Sequence, residues 1–338
     1  MPISPINVYN KKIILAPLDW GMGHVARCVP LIKQLQQQQN NIVIACTSEQ
    51  QKFLKQEISG IEFVSLFGYN MSYAKILPLW VKIFIQFPKL FAVVRKENKW
   101  LANYLKKNET DVVISDNRFG FYNENVESIF ITHQLNVQAP FFQNIINRIN
   151  SSFIEKYSVC WVPDYVEEEK RLSGILSDKN GIKNTVFIGP LSRFEKTKSE
   201  QKKYAVLILL SGPEPQRTLL EEKLISAFAN TNYKVALVRG SFSECVQKMP
   251  SNFYVIDVAS SKQLQELFNV SDKIICRSGY STLMDLDVLG LKALLVPTPG
   301  QSEQEYLAKY WQEKFACTCL EQKNISEKSI KKFMQTTL

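Results

Sequence analysis

Only two histidines, His24 and His133, occur in this 338-residue chain, and each stands where an apolar run gives way to a turn. An imidazole in that position can accept a proton, hold an anion at a helix start or touch a substrate, or it can merely sit satisfied in a loop. Asp116 closes a third apolar run, DVVIS. Its carboxylate could orient either histidine, bind sugar hydroxyls or cap a turn. A second concentration of chemistry runs from Lys273 to Gln304. There a short strand (Ile274 to Cys276) leads through Arg277, Ser278 and Gly279 into a helix carrying Ser281, Thr282 and Asp285. A turn of small residues before a helix gathers unpaired N–H groups at the positive helix end, which suits a phosphate. Asp285, one turn in, can approach the same ligand from the side.

Other chemistries find little support in the residue pattern. WGMGH (Trp20 to His24) is not GxGxxG, and no GxxxxGK[ST] occurs, so dinucleotide and Walker-type sites are disfavoured. There is no HExxH, CxxC pair or DxD loop, Cys317 and Cys319 have the wrong spacing, and Asp285 and Asp287 point different ways on a helix; no metal or other cofactor is expected. In SGPEPQR, Ser211 and Gly212 allow close approach to the backbone, while Pro213 and Pro215 each remove an N–H donor.

The elements that position these residues alternate. Strands are expected at Lys11 to Pro17, Ile42 to Cys46, Ile61 to Leu66, Asp111 to Ser115, Ser128 to Thr132 and Val159 to Val162, with helices between them. The helix after WGMGH carries Val25, Val29, Ile32 and Leu35 on one face. An aromatic-rich segment from Tyr69 to Lys107 reads as one or two helices broken near Pro88. Asp164 to Lys203 is polar, and βα alternation resumes at Tyr204 to Leu210. The expectation is an α/β chain of two doubly wound, Rossmann-like domains, 1–190 and 191–338, with a cleft between them lined by residues just past the strand ends; the final helix could pack back on the first domain.

A net charge of +9 and a pI near 9.0 favour an anionic partner. The lysines are spread without an aromatic-interleaved basic motif, which speaks against nucleic acid. The seven scattered cysteines fit a reducing cytoplasm, and Met1 to Lys12 is too polar for a signal sequence. Ile76 to Val94 is apolar but interrupted by Lys82, Lys89, Pro78 and Pro88. It reads either as a layer over the sheet or as an interfacial patch that docks through Trp80, Phe84 and Phe87 on an anionic membrane surface.

ICRSGYSTLMD, followed by VP and SEQE, resembles the donor-site signature of glycosyltransferase family 28, a GT-B group that includes the MurG-type enzymes. GMGH followed by Arg27 is similar to the acceptor loop of that group. The resemblance implies an inverting, metal-independent transfer of a sugar from a nucleotide diphosphate, UDP above all, to a hydroxyl acceptor that could be lipid-linked. A cytoplasmic protein is expected, one that the interfacial reading of Ile76 to Val94 would put peripherally on the inner face of the membrane. The resemblance puts Asp285 on the ribose hydroxyls and Gln304 on the donor sugar, with Glu305 where MurG-type enzymes carry a second glutamine. Ser278, Gly279, Ser281 and Thr282 would hold the phosphates with Arg277 beside them, Val258 would meet the base, and Ser211 and Gly212 would form the first donor loop. On the acceptor side it implicates Gly21, Gly23 and Arg27, with His133 as a further contact; His24 is the first choice of base and Asp116 the second. Asp19, Trp20 and Met22 depart from the glycine-richer MurG-type loop. A nucleotide-sugar epimerase or hydrolase, and a non-catalytic sugar-nucleotide binding protein, remain as alternatives.

Overall fold

The computed structural model describes residues 4–69, 79–139, 141–197, 201–241 and 249–336, with the backbone alone for 79–90. Contacts divide the chain into two compact units, Met1–Arg193 and Phe194–Leu338.

The first unit is built on β1 (Lys12–Pro17), β2 (Asn41–Cys46), β3 (Glu62–Ser65), β4 (Val112–Asp116), β5 (Glu127–Ile131), β6 (Val159–Val162) and β7 (Thr185–Phe187). These strands form one sheet in the order β3-β2-β1-β4-β5-β6-β7, and every pairing is parallel. Both faces of a parallel sheet must be covered, which is why β1 and β4 are continuous apolar runs. Ile14, Leu15, Val113 and Ile114 are fully buried, each worth about 1.5–3 kcal/mol in transfer terms. The connecting helices are α1 (Met22–Gln37), α2 (Ser48–Glu57), α3 (Leu79–Leu105) and α4 (Gln143–Ile154). Thr47 and Gln50 start α2 with a reciprocal capping box.

Two expectations for this unit are corrected. Helix α3 runs unbroken through Pro88. A proline costs a helix one hydrogen bond and some crowding, and the far half of α3 is held by packing of Leu101, Trp100, Tyr104 and Leu105 against Ile14, Val113 and Phe121. The polar stretch after Asp164 also contains a strand, β7, paired with β6 at Cys160, Trp161 and Val162. Three residues are too few to show a period. The side chains of Trp80, Phe84 and Phe87 lie outside the described residues.

The second unit has β8 (Tyr204–Leu209), β9 (Val235–Val238), β10 (Phe253–Ile256), β11 (Ser271–Cys276), β12 (Leu294–Leu295) and β13 (Thr318–Cys319), in the order β10-β9-β8-β11-β12-β13 and again parallel throughout. Its helices are α5 (Gln216–Phe228), α6 (Ser261–Val270), α7 (Tyr280–Leu289), α8 (Ser302–Lys314) and α9 (Glu327–Gln335). The closing helix α9 packs within this unit: its Ile330 and Phe333 join Leu224, Phe228 and Val235 in one core. Its apolar stripe is taken up in that core.

Gly120 shows how tightly α3 is seated. A Cβ at this position would stand 2.2 Å from the Val94 carbonyl oxygen and 2.9 Å from the Glu97 side chain. Backbone cannot yield cheaply, so Gly120→Ala is expected to destabilise the protein by about 2–3 kcal/mol through overpacking, measurable as a lower denaturation midpoint at unchanged m-value.

Candidate active site

In a parallel sheet, the order reverses where successive crossovers leave in opposite directions, and ligands bind past the strand ends at that place. In the first unit the reversal lies between β1 and β4, which are in register at Pro17 and Asp116. Past β1 the chain turns at Gly21, whose φ of 84° favours glycine, and enters α1. His24, Arg27 and Cys28 follow at i, i+3 and i+4, so one helix face presents all three. They meet Asp116. The Asp116 carboxylate has no exposed surface and accepts from Arg27 Nε at 3.0 and 3.2 Å, from Arg27 Nη2, and from Cys28 Sγ at 3.6 Å; His24 Nδ1 lies 3.2 Å from Oδ2.

Burial alone would raise the pKa of Asp116. The Arg27 charge and the neighbouring His24, with the hydrogen bonds both make, outweigh it and bring the group down to about 2. An ionised carboxylate can only accept, so Nδ1 of His24 carries the hydrogen that faces it, and the lone pair of an uncharged ring would lie on Nε2. The His24 side chain keeps 17% exposure. Burial and the Asp116 charge push the Cys28 thiol up, so it contributes packing, not a thiolate. His133, buried after β5, is not among the partners of Asp116. Gly23 lies in the first turn of α1.

The second reversal lies between β8 and β11, paired at Leu209 and Cys276. Past these ends the Arg277 guanidinium is fully buried and donates through Nη1 to the Val296 and Pro297 carbonyls, both at 3.1 Å, and through Nη2 to Gln216 O at 2.8 Å. No carboxylate pairs with it among the described residues, and burial lowers its pKa to about 10, so it stays charged at neutral pH. Arg277 Nε and Thr298 Oγ1 are buried without a hydrogen-bond partner. They converge on Gly212 (φ 101°): a Cβ there would stand 4.0 Å from the first and 3.5 Å from the second. A cationic N–H and a hydroxyl beside bare backbone suit a phosphate or sugar oxygen. The neighbouring Ser211 is exposed.

Ser278 is buried and its hydroxyl donates to Gln304 O at 2.7 Å, joining the turn to α8 instead of pointing outward. Gly279 begins α7 with no side-chain cap, and Ser281 and Thr282 in the first turn are half-buried. Gln304 Oε1 accepts from Thr298 N at 2.9 Å, and a Cβ on Gly279 would lie 3.9 Å from its Nε2, so this amide lies beside the turn. Glu305 Oε1 accepts from Gly300 N at 2.8 Å, bracing the loop after β12. Asp285, in the second turn of α7, and Val258, past β10, are half-buried. Among the described residues no group of three or more His, Cys, Asp or Glu side chains could hold a metal ion, and no helix is long and apolar enough to cross a membrane.

Residues 213–337 match the glycosyltransferase family 28 C-terminal domain. The second unit of the chain therefore carries a glycosyltransferase family 28 C-terminal domain. The chain's curated relatives include the UDP-N-acetylglucosamine–N-acetylmuramyl-(pentapeptide) pyrophosphoryl-undecaprenol N-acetylglucosamine transferase of Rickettsia akari, 23% identical over 78% of this chain and 64% of that protein. They also include the processive diacylglycerol beta-glucosyltransferase of Bacillus licheniformis, 25% identical over 88% of this chain and 80% of that protein. The chain thus spans just under two thirds of the length of the first and four fifths of the second. Among solved structures, the calicheamicin glycosyltransferase CalG4 matches 97% of this chain and 91% of its own at TM-score 0.66 and 13% identity. Arabidopsis thaliana UGT89C1, in complex with UDP-L-rhamnose, matches 97% and 90% at TM-score 0.65 and 13%. At such identity these structures speak for the fold, the GT-B arrangement of two parallel-sheet domains expected from the sequence.

The sequence offered Asp116 as a group that could orient a histidine; the i, i+3 spacing of His24 and Arg27 on α1 was the further signal that one partner would gather both. Arg118, Glu97 and Tyr69, which surround the same loop, carried no motif.

The pH dependence follows from Asp116. Its pKa is depressed in the folded state, so the stability it contributes is fully present above about pH 4 and is lost as pH falls through about 2. Denaturant titrations of the wild type should lose on the order of 2 kcal/mol from this group over that window. Asp116→Asn should lack that component and be less stable at neutral pH, because Arg27 is left buried without its counter-charge.

Proposed function

We propose that this glycosyltransferase moves a sugar from a UDP-linked donor to a hydroxyl of a lipid-linked acceptor, with inversion and without a metal ion. The observation that carries the reading is the His24–Asp116 pair at the start of α1, in which an ionised carboxylate fixes Nδ1–H and leaves Nε2 as the base. His24 Nε2 takes the acceptor hydroxyl proton as that oxygen bonds to the anomeric carbon. The bond from the anomeric carbon to the diphosphate breaks on the opposite side, and UDP leaves with the electron pair. Asp116 stays ionised and stabilises the imidazolium, so it orients the base and is not itself a second base. The negative charge developing on the diphosphate meets the uncapped start of α7, Ser281, Thr282 and the Arg277 charge. Asp285 accepts from the ribose hydroxyls, Gln304 holds the sugar, Glu305 braces the loop beside it, Val258 lies against the base, and Ser211 and Gly212 let the diphosphate approach the backbone. Gly21, Gly23, Arg27 and His133 shape the acceptor side.

The lipid acceptor is supported by the undecaprenol and diacylglycerol named for the relatives, and by a net charge of +9 suited to an anionic bilayer. Such an enzyme works in the cytoplasm, peripherally on the inner membrane face. Its partners are the nucleotide sugar, the acceptor and that surface.

A thermal-shift series with UDP-glucose and UDP-N-acetylglucosamine, paired with UDP release onto 1,2-dioleoylglycerol in mixed micelles, tests the reading. One donor should stabilise the wild type, by about 2.7 kcal/mol at a hundredfold excess over Kd, and Asp285→Ala should lose the shift. His24→Ala should keep the shift and lose about 10²–10⁴ in kcat. Donor breakdown or epimerisation without acceptor would replace transfer by hydrolase or epimerase chemistry. Donor binding with no turnover of any kind would leave a binding protein.

A further inference from the structure

The first unit holds a second buried charge pair, one that the proton-transfer scheme does not use. Arg118 and Glu97 are both fully buried, with Arg118 Nε 2.5 Å from Glu97 Oε1. Among the described residues, the other hydrogen-bond and charge partners of its guanidinium belong to the exits of strands. Nη2 donates to Phe67 O, past β3, at 2.7 Å; Nη1 donates to Pro17 O, at the end of β1, at 3.3 Å and lies 3.8 Å from the Asp19 carboxylate in the loop beyond. The guanidinium sits 5.1 Å from the centre of the Tyr69 ring. Tyr69 closes the circuit: its hydroxyl donates to Glu97 Oε2 at 2.7 Å, and its backbone N–H donates to the Asp19 carboxylate at 3.0 and 3.1 Å. Gly120 N donates to the same Glu97 oxygen at 3.1 Å.

Asn117, between Asp116 and Arg118, has a φ of 62°. Asparagine tolerates this left-handed conformation better than most side chains. The kink separates two networks at one strand end: Asp116 holds α1 through His24 and Arg27, while Arg118 holds the chain that leads into α1. Leu18 is fixed on further sides, its N–H donating to Asp116 O at 2.9 Å and its carbonyl accepting from Gln50 Nε2 at 2.9 Å.

We propose that Arg118, with Glu97 and Tyr69, is a positioning assembly for the loop after β1, and that it sets the orientation of His24 for transfer. A buried ion pair adds little net stability over apolar residues of the same shape. What this one supplies is direction: a rigid guanidinium fork joins α3, the exit of β3 and the exit of β1 in one geometry. The role in transfer rests on His24 being the base, and the test separates the two ideas.

Arg118→Ala strands Glu97 in the core and is expected to unfold the unit, so milder variants decide: Tyr69→Phe, which removes one hydroxyl, and Asp19→Asn, which removes one charge. Protein carrying ¹⁵N-histidine gives imidazole signals from His24 and His133 only, assigned with His24→Ala. In both folded variants the His24 signal should move while that of His133 stays. With UDP-glucose or UDP-N-acetylglucosamine and 1,2-dioleoylglycerol micelles, kcat should fall about tenfold at unchanged KM for the donor, since a misplaced base costs rate without costing donor binding. An unmoved His24 signal overturns the proposal, as does an unchanged kcat. If the signal moves but the wild type releases no UDP, the positioning of His24 stands, and the glycosyl-transfer reading falls with the role in transfer that rests on it.

Discussion

The constraint on which the first unit's site depends is the burial of one carboxylate. Asp116 has no exposed surface, and a charge taken from water costs several kcal/mol unless partners replace the hydration. Arg27 supplies two donors and a full counter-charge; His24 supplies a third hydrogen bond. Because Arg27 supplies a full counter-charge, the ionised state of Asp116 does not depend on a charge on His24. The carboxylate is thereby free to hold the ring through Nδ1.

The two units repeat one solution with different electrostatics. Each is a parallel sheet whose order reverses, between β1 and β4 in one and between β8 and β11 in the other, and each gathers its polar residues past those strand ends. In the first unit the charge is balanced from within. In the second, Arg277 is held by three carbonyls and no carboxylate among the described residues. Carbonyl dipoles fix its geometry while leaving its charge available to an anion. Gly212 matters for the same reason, since its positive φ and missing Cβ keep backbone, Arg277 Nε and Thr298 Oγ1 within reach of one ligand atom.

Much of the architecture was legible because parallel strands buried on both faces read as unbroken apolar runs, and DVVIS and YAVLILL, short and rich in β-branched residues or bounded by turns, fit that reading. What escaped notice was short or local. Thr185–Phe187 is too brief to show a period, and Pro88 in α3 counts as a breaker only if nothing else holds the helix. At the site, residue types and strand-end positions pointed to His24, Asp116 and Arg277, but partners did not follow from type. Arg277 reads as a phosphate ligand by analogy, yet its Nη donors are spent on backbone. Ser278 reads as part of a phosphate turn, yet its hydroxyl serves α8. In both cases a polar side chain next to a loop past a strand end holds that loop in place.

Such a holding role explains why Arg118 and Glu97 left no trace in the sequence. They are 21 residues apart, one on a long helix and one past a strand, and neither belongs to a repeat or spaced motif. Their relation exists only once the order β2-β1-β4 brings the exits of neighbouring strands together and Gly120 lets α3 approach within contact of the β4 exit. A carboxylate buried there has its pKa raised by desolvation, which Arg118, Tyr69 and Gly120 only partly offset. Its burial is tolerable for one structural reason: the guanidinium that neutralises it also closes two backbone carbonyls, Pro17 O and Phe67 O, from two strand exits. The fold comes first, and the charges that steady the loop before His24 become meaningful only within it.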